Sequence, residues 1–365
     1  MTGCLCVPLA NRSGRAQPRR DERMTLLEHT PVKTYCNRLA IERGLDPAGY
    51  AGSFDDAVLI EVPPPWPRSV YQQPDPLPQE MLDLLALWME EYQQTGDYRH
   101  RPLLIAPDEE YSKPGFRRVM FYARGEGEIA QFRKTEYRIP ETEVGSLLWA
   151  WFSARGDLPR FESYRAPETD QVRDLLVCTH GTIDAACAKF GYPLYRTLRD
   201  RHARADLRVW RVSHFGGHVF APTLMDMPSG RYWAYVEDDQ ARQIVEASGS
   251  VSALRGHYRG WAGLQAGFMQ AAERELWQRH GWAWFGYHKA GLILAQDENT
   301  DEPAWAEVQI TCTTPDGIRG AWEARVEISR HVETITTTGH TDTHRYPQYV
   351  VTRLQQTAQA AADLR

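Results

Sequence analysis

LLVCTHGTIDAACAKFGYPLYRTLRD at 175–200, followed by VWRVSHFGGHVFAPTLMDMPSGRYWAYV at 209–236, decides how this chain is read. The apolar run at 175–178 predicts a buried strand that ends on a cysteine. A short helix over 182–190 follows, closed by Gly191 and broken by Pro193. The run 207–212 predicts a second strand. Segments 218–224 and 232–236 predict a hairpin turning at Pro228–Ser229–Gly230, and helices over 238–247 and 258–279 close the unit.

Working outward, the same order recurs upstream. AVLIEV at 57–62 predicts a strand, bounded by Asp55–Asp56 and by PPPWP at 63–67. Residues 79–95 place Met81, Leu84, Leu85 and Trp88 at helical spacing before Gly96. Strands over 102–106 and 118–123, the latter opening a hairpin, precede a helix over 141–154. The order β-α-β-β-β-α therefore appears twice, as expected of a degenerate duplication of an α/β unit. Two strands joined through a helix and then a hairpin suit a thioredoxin-like sheet. The predicted architecture is two thioredoxin-like α/β domains in tandem, over 24–160 and 165–281, plus a small β-rich C-terminal extension over 282–365. In that extension strands are predicted at 282–294, 305–313 and 321–330, a polar loop at 334–344, and a short helix in LQQTAQAAADL at 354–364.

Composition narrows the function classes. The chain has 365 residues, 42% hydrophobic and 25% charged, with a formal net charge of −6. That charge argues against a nucleic-acid binder that neutralises phosphate. The longest apolar runs fall short of the ~18 residues a membrane span needs. Six cysteines are too few and too irregular for a disulfide framework, so a reducing, cytoplasmic location is expected. Residues 1–23, with five arginines and no long apolar stretch, read as a disordered basic tail, with Met24 as an alternative start and targeting as a second role. Cys4 and Cys6 fall in that tail and are given no chemistry.

The chemistry-bearing residues lie within 175–236. Cys178 and Cys187 are separated by eight residues, and after 26 intervening residues come His214 and His218, separated by three. Thiolate and imidazole are what borderline and soft metals select. Cys178 stands where a strand gives way to a helix, and Gly216 and Gly217 permit the positive φ that turns both imidazoles toward one centre. Zinc fingers use shorter cysteine spacings. A Rieske centre needs a histidine close to each cysteine; Cys178-Thr-His180 offers half of that pattern, but Ala188, Lys189 and Phe190 follow Cys187. The residues thus define a candidate two-Cys, two-His metal site, a zinc ion of structural type included.

At this point the chain resembles the sucrase/ferredoxin-like family. The resemblance rests on Cys178 with His180–Gly181, Asp184, Cys187, Gly191–Pro193, HFGGH at 214–218, FAPTL at 220–224 with Trp233, and YRG at 258–260. In the first half it rests on YCNRLAIERG at 35–44 and IEVPPPWP at 60–67. It implies a [2Fe–2S] cluster held by Cys178, Cys187, His214 and His218 outside any Rieske fold. It further implies a thioredoxin-like ferredoxin domain around that cluster in the second half and a cluster-free sister domain in the first. PPPWP takes the place that CTHG takes in the second half. His180 and Asp184, together with Gly216 and Gly217, are candidates for the groups around those ligands, although a helix-start cap explains the first two as well.

An electron-transfer role follows from such a cluster. Two neutral imidazoles in place of two thiolates make the oxidised centre less negative, so the expected potential lies within about −150 to +300 mV. Reduction would raise the imidazole pKa if both histidines bind one iron, coupling electron to proton uptake. No nucleotide or flavin signature is present, so reducing equivalents are expected from a redox protein partner such as a ferredoxin or a flavoprotein reductase. Reduction of an iron chelate is a further activity by analogy. The family label "sucrase" finds no carboxylate pair to support it, and the missing C-x-x-C argues against a thiol–disulfide enzyme. Cys36 and Cys312 read as structural, Asp108–Glu109–Glu110 as a solvated turn, and His331, His340 and His344 as part of a solvated Thr-rich segment.

Overall fold

The computed structural model describes residues 34–298 and 302–357. The basic tail at 1–23 with Cys4 and Cys6, and positions 358–364 of the predicted final helix, lie outside the described residues. In chain order the elements are α1 (Cys36–Glu42), β1 (Asp56–Glu61), α2 (Gln79–Thr95), β2 (His100–Ile105), β3 (Phe116–Ala123), β4 (Arg133–Pro140) and α3 (Val144–Phe152). The second half holds β5 (Arg173–Cys178), α4 (Ala185–His202), β6 (Leu207–Val212), β7 (Leu224–Met227), β8 (Arg231–Trp233), α5 (Asp238–Glu246), β9 (Tyr258–Trp261) and α6 (Gly267–His280). The C-terminal part holds β10 (His288–Gln296), β11 (Trp305–Thr313), β12 (Arg319–Ile335) and β13 (Thr343–Thr357).

The first nine strands form one mixed sheet in the order β4-β3-β1-β2-β6-β5-β7-β8-β9. Each half repeats one pattern. β1 runs parallel to β2 and antiparallel to β3, which pairs with β4. β5 runs parallel to β6 and antiparallel to β7, which pairs with β8. This is the βαβ-then-hairpin order expected of thioredoxin-like units, present twice. The halves meet where β2 and β6 touch through one residue pair, Ile105 with Val212.

The continuous apolar runs of β1 and β5 follow from coverage on both faces. Val58 and Ile60 enter a core with Met81 and Leu84 of α2 and Leu147 and Leu148 of α3. Leu175 and Val177 enter a core with Leu194 and Leu198 of α4 and Leu276 of α6. The alternate residues, Ala57 and Leu59 from β1 and Leu176 and Cys178 from β5, share a third core with Trp210, Val212 and Tyr232. The half-sheets therefore face each other, and the interior between them receives Cys178. Strands β10 to β13 form a separate antiparallel sheet, and Ala306, Val308, Ile310 and Cys312 of β11 close over α6.

Four local expectations are corrected. α4 does not stop at 190 but continues past Gly191 and Pro193. Gly191 serves close approach, since a Cβ there would lie 2.0 Å from the Cys178 carbonyl oxygen. The helix survives Pro193 because Leu194 and Leu198 are buried beyond it. The segment 258–279 is not one helix, because Tyr258–Trp261 pair with β8 as a strand. The hairpin after His218 begins at Leu224, with a single 3-10 turn over His218–Phe220 before it. Finally, the expected helix does not begin at 354, since 354–357 belong to β13; the polar loop expected at 334–344 is present, trimmed to 336–342 between the end of β12 at Ile335 and the start of β13 at Thr343. His331 and His344 are thus exposed strand residues and His340 an exposed loop residue. Among the described residues no helix is long and apolar enough to cross a membrane.

Candidate metal centre

Three chain segments converge at the seam between the halves. Cys178 is the last residue of β5, where its amide donates to the Thr223 carbonyl. Cys187 follows from the start of α4, which Asp184 caps by accepting the Ala186 amide at 2.7 Å. The third segment is the turn His214–His218. Its entry is fixed by Ser213, fully buried at the β2–β6 junction, whose amide donates to the Leu104 carbonyl at 2.8 Å. The Ser213 hydroxyl accepts the Leu104 amide at 2.9 Å and meets the Tyr71 hydroxyl at 3.0 Å.

Cys178, Cys187 and His214 come together. The Nδ1 of His214 lies 3.7 Å from each sulfur, and the three donor atoms fall within 4.8 Å of one another. Both cysteines are buried, whereas the histidine turn reaches the surface. The His218 ring stands beside that of His214, with centroids 5.5 Å apart. Its Nδ1, however, points to a second group: 3.5 Å from Cys36 Sγ and 3.6 Å from Asp184 Oδ2. The other ring nitrogen, Nε2, is the one left for a metal.

The turn itself requires its glycines. Gly216 and Gly217 have φ of 95° and 75°, and a Cβ on Gly217 would lie 2.5 Å from the Arg259 guanidinium. That buried guanidinium donates to the Gly216 carbonyl at 3.2 Å and to the Tyr50 carbonyl at 2.5 Å. Burial pulls Arg259 down to about 10, which leaves it cationic at neutral pH.

The titratable groups suit metal ligation. Burial would raise the Cys178 thiol, but hydrogen bonds from Cys187 and His214 outweigh it and hold Cys178 well below the ordinary thiol range. The bond given to Cys178, and then burial, push Cys187 up. Burial, reinforced by His214 and opposed by Asp184, brings His218 down to about 4, leaving a neutral imidazole with a free lone pair. Cys36 differs: burial, opposed by the Thr338 hydrogen bond and supported by the Asp184 charge, drives it up to about 12. It stays a thiol.

His180 and Asp184, which a helix start alone could have explained, both touch the candidate ligands. His180 Nδ1 accepts the His214 amide at 3.2 Å, while its Nε2 donates to the Trp66 carbonyl at 3.1 Å. PPPWP of the first half thereby braces the turn of the second. Three contributors escape a reading by sequence motif: Ser213, Cys36 and Thr338. The last donates to Asp184 through both its amide and its hydroxyl, at 2.8 and 2.6 Å. Cys36, expected to be structural, stands in contact with His218 and Asp184. Cys312 is buried in β11 away from the site.

Fold and site together define a duplicated thioredoxin-like α/β protein with a buried Cys–His centre at the seam of its two halves. The sucrase/ferredoxin-like family model matches residues 47–260, more than half of the chain, and the protein belongs to that family. No curated protein matches, and no solved structure matches.

Proposed function

We propose that the chain binds a [2Fe–2S] cluster through Cys178, Cys187, His214 and His218 and works as an electron-transfer protein. The observation that carries this reading is the convergence of two buried cysteines and the HFGGH turn in a chain of the sucrase/ferredoxin-like family. The donor set fits: a thiol pair that readily yields a thiolate, and two imidazoles on one glycine-enabled turn. Such a cluster supplies one-electron redox chemistry, expected within about −150 to +300 mV for mixed Cys–His ligation.

The chain's own residues divide the remaining work. Burial of the cysteines keeps water from the sulfur side. The histidine side faces solvent, His218 with 21% of its side chain exposed, and is the route by which a redox protein partner would exchange electrons. The imidazole nitrogens turned away from the centre are the places where a proton could follow the electron. The described cysteines, Cys36, Cys178, Cys187 and Cys312, are free thiols, which suits the reducing cytoplasm proposed as its location. An iron chelate would be a small acceptor at the same edge.

One observation favours a second reading, a structural zinc ion on the same four residues. The 3.7 Å separations around His214 are close to the ~3.3–3.8 Å between neighbouring ligands of one tetrahedral ion with bonds of 2.0–2.3 Å. Metal analysis with electron paramagnetic resonance of the dithionite-reduced protein decides between them. An iron signal that Cys178→Ser abolishes is expected, whereas diamagnetic protein with stoichiometric zinc would replace the cluster reading by the zinc one.

A further inference from the structure

His218 is flanked on its Nδ1 side by Asp184 and Cys36. Asp184 Oδ2 lies 3.6 Å away and Cys36 Sγ 3.5 Å. Asp184 is itself held by four donors: the Ala186 amide at 2.7 Å and the Thr338 hydroxyl at 2.6 Å on Oδ1, the Thr338 amide at 2.8 Å on Oδ2, and the Cys36 thiol at 3.7 Å. Thr338 accepts the Cys36 amide at 3.2 Å in return. Cys36 opens α1, and Thr338 lies between β12 and β13. Both fall outside the family-matched region 47–260.

Cys36, Asp184 and His218 bring their donor atoms close enough to suggest a separate ion. Hydrogen bonds already occupy both oxygens of Asp184, so the group is complete without one. An Nδ1–H on the imidazole would point at Oδ2 across 3.6 Å, an ion-pair distance just beyond a direct hydrogen bond. The Cys36 thiol, donating to Asp184 Oδ1 at 3.7 Å, leaves Nδ1 its own proton. Ligating histidines are commonly oriented in this way, by donating their other ring N–H to a carboxylate.

We infer that Asp184, braced by Thr338 and Cys36, is a positioning residue that fixes His218 as its Nδ1–H tautomer and presents Nε2 to the metal. His214 presents Nδ1 instead, so the two histidines of the HFGGH turn are inequivalent. The terminal segments thereby tune the centre. The inference rests on the metal-centre reading for the ligand role of His218, but the tautomer is a property of the full chain with or without a bound cluster.

The test has two arms. In the metal-free full-length chain, nitrogen-15 histidine spectra are expected to show His218 protonated on Nδ1. That preference should persist in Thr338→Val and disappear in Asp184→Asn, which retains a helix-capping side chain. A wild-type His218 protonated on Nε2, or an Asp184→Asn spectrum unchanged from wild type, overturns the inference. In the cluster-loaded chain the potential should rise in Asp184→Asn, because the imidazole loses its anionic partner. It should fall in Thr338→Val, because the carboxylate loses a donor and draws harder on Nδ1–H. Shifts of the same sign, or none, overturn the tuning role, since loosened packing would move both variants alike. A chain that holds zinc or no metal sinks the cluster reading alone, and the spectra still decide the tautomer.

Discussion

The two ring nitrogens of His180 do opposite jobs, one accepting from the His214 amide and the other donating to the Trp66 carbonyl. Only the Nε2–H tautomer can do both, so the residue rigidly links the first half to a ligand. His180→Ala should leave the fold intact and weaken metal binding about 10–100-fold, the usual scale for groups that orient ligands. Competition with a chelator measures it, and unchanged affinity would reduce His180 to packing. At this scale the sequence was legible where residues sit in a compact motif. Cys178, Cys187 and His214 converge as expected, and His180 and Asp184 touch them. Ser213, Cys36 and Thr338 were illegible because their roles come from tertiary juxtaposition. Cys36 and Thr338 are 302 residues apart yet hydrogen-bonded, and no spacing rule spans that distance.

Among the elements, α4 carries the tightest steric condition on the site. Gly191 lets the helix press on the end of β5, where an added Cβ would meet the Cys178 carbonyl at 2.0 Å. Gly191→Ala must push strand and helix apart, at about 1–3 kcal/mol, the scale of an overpacked core. Reduced metal content should accompany the lowered urea midpoint. Wild-type values for both would show that the helix yields without cost. The paired apolar strands were readable because period and length survive in the sequence, as in β1 and β5. The end of α4 was not, since a glycine needed for close approach and a glycine that ends a helix look identical. The start of α6 was missed for a related reason. Tyr258–Trp261 has an apolar pattern that a helix could share, and only pairing with β8 makes it a strand.

At the scale of the molecule, the facing half-sheets enclose a buried ionic network. Asp174 of β5 bonds Lys134 of β4, Arg208 of β6 at 2.9 Å and the Trp210 indole at 2.8 Å. Glu136 of β4 bonds Arg208 at 2.6 Å and Arg118 of β3. Burial opposes ionisation of Asp174, but Arg208 and Lys134 bring it down to about 2, and Arg208 chiefly lowers Glu136 as well. A depressed carboxylate contributes stability fully above its unfolded pKa of about 4. That contribution is lost as pH falls through the folded value near 2. Thermal melts should therefore drop steeply between about pH 4 and pH 2, and Asp174→Asn should flatten that slope. The same variant strands buried cations and should cost about 3–5 kcal/mol at neutral pH. A melt profile as steep as wild type would remove Asp174 from the acid response. None of this network was legible beforehand, because it joins strands from both halves across a face-to-face packing that topology alone creates.

The proposed iron–sulfur cluster at the seam between the halves is open to direct chemical test. Quantifying iron, acid-labile sulfide and zinc in the freshly purified full-length chain tests it most directly. A red-brown protein with about two irons and two sulfides per chain, lost when Cys178 or Cys187 is replaced by serine, is expected. A colourless protein with one zinc per chain, or a coloured one that keeps its full iron when His214 and His218 are both changed to alanine, would contradict it.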